Sequence, residues 1–399
     1  MSSSSADSSP FVAIACGGTG GHLFPGLAIA EQLQQRGCAV ALLISPKEVD
    51  QQSVQSARGM EILTLPAVAL QNRNYFSFAA CFWRSWRAAA RFFQQRRPDA
   101  VLAMGGFTSA PPILAAKDAG AKTFLHESNT LPGRANRFLA RWVDEAFVGF
   151  PEAAARLKAR QVTVTGTPVR SGFSPDPARP SPDPACRLAL GLDPQRPVVL
   201  VMGGSQGASG LNDLILSALP LLGERASAWQ WIHLTGPKDF ERVQKTYGVL
   251  GIRAVVQPFL AAMDLALGAA SVSVSRSGAS SLAEIAARRL PSLLVPYPAA
   301  ADNHQWTNAR AFEKTGAAIL LGQADAAPDE VVARLHRLMD DASAREGIQA
   351  ALGRWHAPAA AERVADLMLA AIARQRAQTA ARQPSCGCGH AHAPGKPAH

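Results

Sequence analysis

Phe11-Val-Ala-Ile-Ala-Cys16 runs directly into Gly17-Gly-Thr-Gly-Gly-His22, and Val198-Val-Leu-Val-Met202 runs into Gly203-Gly-Ser-Gln-Gly207. Each apolar run is short and lacks polar alternation, the pattern of a strand buried on both faces of a parallel sheet. Each glycine turn leads into an apolar-periodic stretch that reads as a helix. Two such starts imply two similar domains. A glycine turn opening a helix at the carboxyl edge of a sheet lets backbone N–H groups approach a phosphate, where the helix dipole favours negative charge. The cleft between two such edges is the expected place for a nucleotide, although a tight strand-to-helix turn with no ligand has the same appearance.

Further strand-like runs recur at 39–44, 100–104, 122–126, 145–148 and 162–165, separated by segments of helical length. A Pro-rich interval, Ser174-Pro-Asp-Pro-Ala-Arg-Pro-Ser-Pro-Asp-Pro184, then breaks every regular period and reads as a hinge or linker. The pattern restarts at Val198 and continues at 229–234, 253–256, 271–275, 292–295 and 317–320. This repeating order predicts an α/β protein of two right-handed, parallel, doubly wound Rossmann-like domains facing across a cleft. Residues 1–10, and the chain from about Arg374 onward, rich in Ala, Gln, Pro, Gly and His, are expected to be disordered.

A length of 399 residues, 48% hydrophobic and 18% charged, suits two such domains plus tails. The start has neither a basic nor an apolar signal region, and nowhere do eighteen apolar residues run uninterrupted. The expectation is a chain neither secreted nor membrane-spanning. Cys16, Cys38, Cys81 and Cys186 lie in or near expected core elements without paired spacing and read as reduced core residues. Cys386-Gly-Cys-Gly-His-Ala-His392 has metal-ligand residue types at a spacing that matches no common zinc site, so no metal is assigned. The net charge of +10, from 40 basic and 30 acidic residues, attracts nucleic acid, anionic lipid or phosphorylated ligands. No zinc-finger, RNA-recognition or helix-turn-helix signature accompanies it, so nucleic acid is not expected as a partner.

Gly17–Gly21 fails the dinucleotide fingerprint, because the third glycine would fall at Leu23, and it lacks the Lys-Ser/Thr of a P-loop. His22, where the helix begins, can take a proton from an incoming hydroxyl at neutral pH or serve as a structural donor. Ser275-Arg-Ser-Gly-Ala-Ser-Ser-Leu-Ala-Glu284 opens another helix with small hydroxyl residues suited to phosphate oxygens. Glu284, one turn further in, can bridge two ribose hydroxyls or merely complement the helix dipole. Asp302-Asn-His-Gln305 belongs to the same carboxyl edge, with amide and imidazole groups suited to sugar hydroxyls and Asp302 favoured as a plain N-cap.

The stretch 75–97 contains eight aromatics, five arginines and no acid. As a helix it sets Phe78, Phe82, Trp86 and Phe93 on one face and Arg84, Arg87 and Arg91 roughly opposite. A core-facing stripe with a solvated basic face accounts for this, yet Trp83 and Phe92 flank the stripe with surplus apolar girth. A basic helix with such a surplus can rest on an anionic membrane surface.

Gly17-Gly-Thr-Gly-Gly-His22, Gly105-Gly-Phe-Thr-Ser109, His126-Glu-Ser-Asn129, Gly166-Thr-Pro-Val-Arg170, Gly203-Gly-Ser-Gln-Gly207, Arg276-Ser-Gly-Ala279, Glu284 and Asp302-Asn-His-Gln305 together resemble the MurG family. These peptidoglycan transferases move N-acetylglucosamine from UDP onto undecaprenyl-pyrophosphoryl-N-acetylmuramoyl-pentapeptide. The resemblance implies a GT-B glycosyltransferase without a cofactor. Residues 11–170 would be the acceptor and membrane domain, completed by a returning helix near 359–374, with 171–358 binding UDP-GlcNAc and 375–399 a disordered tail. It implies donor contacts at Thr19, Gly20, Gly21, Asn129, Arg170, Ser205, Gln206, Leu260, Ala279, Ser280, Ser281, Leu282, Ala283, Glu284 and Gln305. Gly105, Gly106, Ser109 and His126 fall on the acceptor side, and Phe82, Trp83, Arg84, Trp86, Arg87 and Arg91 face the anionic inner membrane from its cytoplasmic side, as in a peripheral protein. Ser128 departs from the amide usual in the family's HEQN motif.

The chemistry so implied is one inverting displacement, with His22 as candidate base and Glu127 in reserve. UDP leaves readily, so neither a general acid nor a metal is demanded, and electrostatic stabilisation of the diphosphate is the main task. Rival expectations on the same fold are a UDP-GlcNAc 2-epimerase, a transferase onto diacylglycerol, or a nucleotide-sugar-binding scaffold without catalysis.

Overall fold

The computed structural model describes residues 9–18, 20–47, 59–66, 75–106, 108–173, 182–204 and 207–382. Thr19, Ser205 and Gln206, most of the Pro-rich interval and the Cys/His-rich stretch lie outside them. Seven strands form the first sheet: β1 Phe11–Ala15, β2 Ala39–Ile44, β3 Glu61–Thr64, β4 Ala100–Ala103, β5 Lys122–Glu127, β6 Glu145–Val148 and β7 Val162–Val164. Six form the second: β8 Val198–Met202, β9 Gln230–Leu234, β10 Ala254–Gln257, β11 Val272–Ser275, β12 Ser292–Leu294 and β13 Ile319–Leu320. The orders are β3-β2-β1-β4-β5-β6-β7 and β10-β9-β8-β11-β12-β13, with every pairing parallel.

The unalternated strands β1 and β8 are buried along their whole length at the centre of each sheet, as their composition requires. Strand order reverses between β1 and β4 and again between β8 and β11. Ligands of doubly wound sheets bind in the crevice outside the carboxyl ends at such a reversal. The four turns that follow these strands hold Gly17, Gly105, Gly203 and Gly278. A side chain at Gly17 would overlap the backbone of Ile44 and Ser45, and Gly105 (φ 109°) and Gly106 (φ 78°) adopt left-handed backbone, so glycine is required at all three. β3 was not expected from the sequence. Its Glu-Ile-Leu-Thr lies at the sheet edge with no fully buried side chain, and it therefore lacks an apolar run.

The chain returns to its first domain through the helix Ala360–Arg382. Val364, Ala365, Met368 and Ile372 bury against Leu27, Ile29 and Leu33 of the helix Gly20–Gln35 and its sheet. Arg376 grips both carboxylate oxygens of Asp99 at 2.9 and 3.0 Å, and Arg36 pairs with Asp366 at 2.8 Å. Residues 375–382, expected to belong to a disordered tail, are therefore helical. Their Ala, Gln and Arg are good helix formers, and Gln375 and Arg376 bind Gly120 and Asp99 of the first domain.

The helix Tyr75–Gln95 divides in two. Ser85, Ala89 and Phe93 are buried, and Trp86 and Phe92 pack on the core of the first domain. Phe78 and Phe82 are half-buried yet join none of the core clusters, while Phe76 (92% exposed) and Trp83 (53%) face solvent. Arg84, Arg87 and Arg91 are exposed, as the helical spacing predicts. Among the described residues no helix is long and apolar enough to cross a membrane. Cys38 and Cys186 are buried free thiols, Cys81 is a half-buried one, and Cys16 is buried just after β1.

Candidate active site

The carboxyl edges of the two sheets face each other across a cleft of about 1620 Å³. One wall carries Gly20, Gly21, His22, Gly106, Glu127 and Asn129, and the other Gly203, Gly207, Arg276, Ala279, Ser280, Ser281 and Gln305. His22 stands in the first turn of the helix that Gly20 opens, and its imidazole lies flat enough on the glycine turn after β4 that a Cβ at Gly105 would come within 2.9 Å of the ring. Gly278 is the N-cap of the ten-residue helix Ala279–Arg288, whose exposed N–H groups offer a positive helix end to the cleft.

Glu127, at the end of β5, is 2% exposed and accepts four hydrogen bonds. Asn129 N (2.8 Å) and Nδ2 (2.9 Å) donate to one oxygen, and Gly133 N (2.9 Å) and Asn136 Nδ2 (2.8 Å) to the other. With both oxygens so engaged it organises the 128–136 loop and is a poor candidate for a base. His126 is also displaced from its expected role. It is fully buried behind the wall, and desolvation lowers its pKa to about 4, so the ring is neutral. Its Nε2–H donates to the Gly166 carbonyl at 3.1 Å, which leaves Nδ1 to accept from Ser128 Oγ at 3.2 Å. The serine in place of the family's amide therefore turns inward to the histidine. Ser109 likewise points into the fold, taking the Gly105 N–H at 3.1 Å and donating to the Gly105 carbonyl at 2.6 Å.

On the opposite wall, Arg276 is 4% exposed and clamps the Val295 and Pro296 carbonyls and Gln323 Oε1, holding the turn after β11 against the turn after β12. Burial lowers its pKa to about 10, so it stays cationic. Gln305 accepts from the Tyr297 N–H at 3.0 Å through its side-chain oxygen. Glu284 and Arg170 do not line the cleft. Glu284 is 9% exposed, and desolvation raises its pKa to about 7 against the opposing charge of Arg170. Arg170 packs its guanidinium over Phe24 (4.6 Å) and Phe173 (5.1 Å). Leu260 packs half-buried against the second core, and Gly105, Leu282 and Ala283 also fall outside the cleft wall.

Contacts across the cleft were the least legible part of the site. Asn308, fully buried, donates to Asn129 Oδ1 and to the Ser277 carbonyl and accepts from Thr130 N and Oγ1. Ser280 Oγ donates to the Gly21 carbonyl at 2.9 Å. Asp302 is not the N-cap expected of it, for no cap bond forms at that helix start. Its two oxygens instead accept from Arg134 and Arg137 of the facing domain, each at 3.0 Å. Asp302 (φ 50°) and Asn303 (φ 54°) both adopt left-handed backbone, which this bridge helps to hold. The available signals were the i,i+3 spacing of Arg134 with Arg137 and of Gln305 with Asn308.

The glycosyltransferase family 28 N-terminal domain matches residues 12–148, and that family's C-terminal domain matches 198–364. A UDP-N-acetylglucosamine–N-acetylmuramyl-(pentapeptide) pyrophosphoryl-undecaprenol N-acetylglucosamine transferase of Anaeromyxobacter sp. (strain K) is 35% identical over 370 residues, covering 91% of this chain and 93% of the relative. The transferase of the same name from Xanthomonas euvesicatoria pv. vesicatoria (strain 85-10) is 37% identical over 381 residues, covering 95% and 85%. Among solved structures, Acinetobacter baumannii MurG superposes with a TM-score of 0.67 at 26% identity over 90% of this chain and 99% of that one. The S. aureus MnaA–UDP complex, at 14% identity and a TM-score of 0.65 over 89% and 94%, shares the fold.

Proposed function

We propose, for a chain that belongs to glycosyltransferase family 28 and within it to the MurG transferases, the transfer of N-acetylglucosamine from UDP-GlcNAc to undecaprenyl-pyrophosphoryl-MurNAc-pentapeptide in peptidoglycan synthesis. The observation that carries this reading is that the described parts of both glycine turns open on one cleft, a hydroxyl-lined helix start facing His22 across it. The acceptor hydroxyl attacks the anomeric carbon, forming the new C–O bond as the bond to UDP breaks on the opposite face, so the sugar inverts from α to β. Negative charge grows on the departing diphosphate. The N–H groups at the start of Ala279–Arg288 stabilise it without reorganising, and Ser205 and Gln206, beyond the described residues, bind on the same side.

His22 receives the proton lost by the acceptor hydroxyl. The choice over Glu127 is geometric, because His22 borders the cleft whereas both Glu127 oxygens hold the loop beneath it. Gln305, Ser280, Ser281, Asn129, Gly20, Gly21 and, beyond the described residues, Thr19 surround the nucleotide sugar. Arg170 and Glu284 act from behind the wall, each countering the other's charge.

The acceptor is lipid-linked, so the enzyme works at an anionic membrane surface, as a peripheral protein on the cytoplasmic face of the inner membrane. Of the apolar residues expected at the membrane, Trp83 supplies the contact together with Phe76, whereas Trp86 packs on the core and Phe82 lines the cleft; Arg84, Arg87 and Arg91 supply the attraction to lipid headgroups. The test is transfer of label from UDP-GlcNAc by His22→Ala: undiminished turnover would remove His22 from the role.

A further inference from the structure

The cleft has an apolar annex that the nucleotide, the sugars and the peptide do not explain. Phe78 and Phe82 from the helix Tyr75–Gln95, Ala110 and Leu114 from the helix Ala110–Asp118, Leu131 from the loop after β5 and Phe138 from the helix Arg134–Leu139 line the same cavity as His22 and Gly106. Phe78 and Phe82 lie one turn apart with ring centroids 6.3 Å from each other, as do Ala110 and Leu114 in spacing, so each helix turns one continuous apolar face to the annex. Phe138 is 48% exposed, its ring 6.4 Å from that of Trp142, itself 45% exposed, so the apolar surface continues outward from the cavity. Contiguous exposed apolar surface beside a binding cleft marks a ligand or a partner.

We propose that this annex is a lane for the first isoprene units of the acceptor's polyprenyl chain. The inference rests on the function proposed above. Of the acceptor's parts, pyrophosphate, sugar and peptide are polar, and only the polyprenyl chain matches a lane of phenylalanine and leucine. The lane is distinct from the bilayer contact: Phe76 and Trp83 face outward from the helix, whereas Phe78 and Phe82 are half-buried and face the cavity. One helix thus carries two apolar faces. Through its outer face it rests on lipid, and along its inner face it guides the chain that leaves the lipid.

The test uses the full chain in detergent-free buffer without vesicles, and UDP-GlcNAc with two acceptors: MurNAc-pentapeptide pyrophosphate ending in methyl, and the same compound ending in two isoprene units. Burial of as little as two methylene equivalents predicts a roughly tenfold higher kcat/KM for the isoprenoid acceptor. In Phe78→Ala/Phe138→Ala the ratio of the two kcat/KM values falls toward one, and Phe138→Leu, which keeps the site apolar, restores part of it. Equal kcat/KM values in the wild type, or a preference that appears only when vesicles are added, would overturn the lane while leaving the transferase intact. Transfer to neither acceptor would overturn the function on which the lane depends.

Discussion

His22 and Glu127 separate cleanly in their expected variants. His22→Ala removes the proton acceptor, so kcat falls roughly 10²- to 10⁴-fold while UDP-GlcNAc binding persists. Glu127→Gln instead turns an NH2 group toward N–H donors now held by a carboxylate oxygen, and loses about 1–3 kcal/mol of stability in denaturant unfolding. Glu284 adds a pH signature. It ionises near 4.5 when unfolded but holds its proton to about 7 when folded, because burial penalises the anion. The folded state therefore binds more protons between those values, so the stability tied to Glu284 is full below about 4.5 and lost as pH rises to about 7. Glu284→Gln stays neutral throughout, and unfolding measured near pH 5 and near pH 8 should show the variant gaining on the wild type by on the order of 3 kcal/mol. At this scale the sequence identified which side chains border the cleft better than it identified their duties. His126 and Ser109 carry polar groups suited to a ligand and Asp302 one suited to a cap, yet their partners are Gly166, Gly105 and the two arginines of the facing domain.

Among the elements, those with a strong local signature were legible and those held by distant contacts were not. Apolar or β-branched runs announced every strand but β3, whose Glu-Ile-Leu-Thr at the sheet edge is mostly exposed. The returning helix near 359–374 was expected only from the family resemblance, and its last turns depend on Gln375 and Arg376 reaching Gly120 and Asp99, contacts far apart in the chain. The helix Tyr75–Gln95 shows how pattern can leave two fates open: its second half is docked and its first half overhangs the cleft. Arg84, Arg87 and Arg91 are exposed, so replacing all three with Ala should leave thermal unfolding unchanged. Binding to anionic vesicles should weaken by about 1 kcal/mol per arginine and lose its salt dependence, as read by co-sedimentation. Unchanged vesicle binding would remove this helix from the membrane contact.

For the molecule as a whole, the two doubly wound domains were readable because each begins with its own strand and glycine turn, but their mutual fit was not. That fit depends on Asn308, Ser280 and Asp302 meeting Asn129, Gly21, Arg134 and Arg137 across the cleft. Asn308→Ala leaves buried partners in both domains without their bonds, at about 1–3 kcal/mol, and kcat/KM for UDP-GlcNAc should fall by a corresponding five- to 150-fold or so. The most direct test of the central claim incubates the purified protein with radiolabelled UDP-GlcNAc and a short-chain lipid-linked MurNAc-pentapeptide. The account predicts label in the lipid product together with release of UDP; UDP-GlcNAc that binds and is epimerised, or merely held, with no label reaching the lipid, would contradict it.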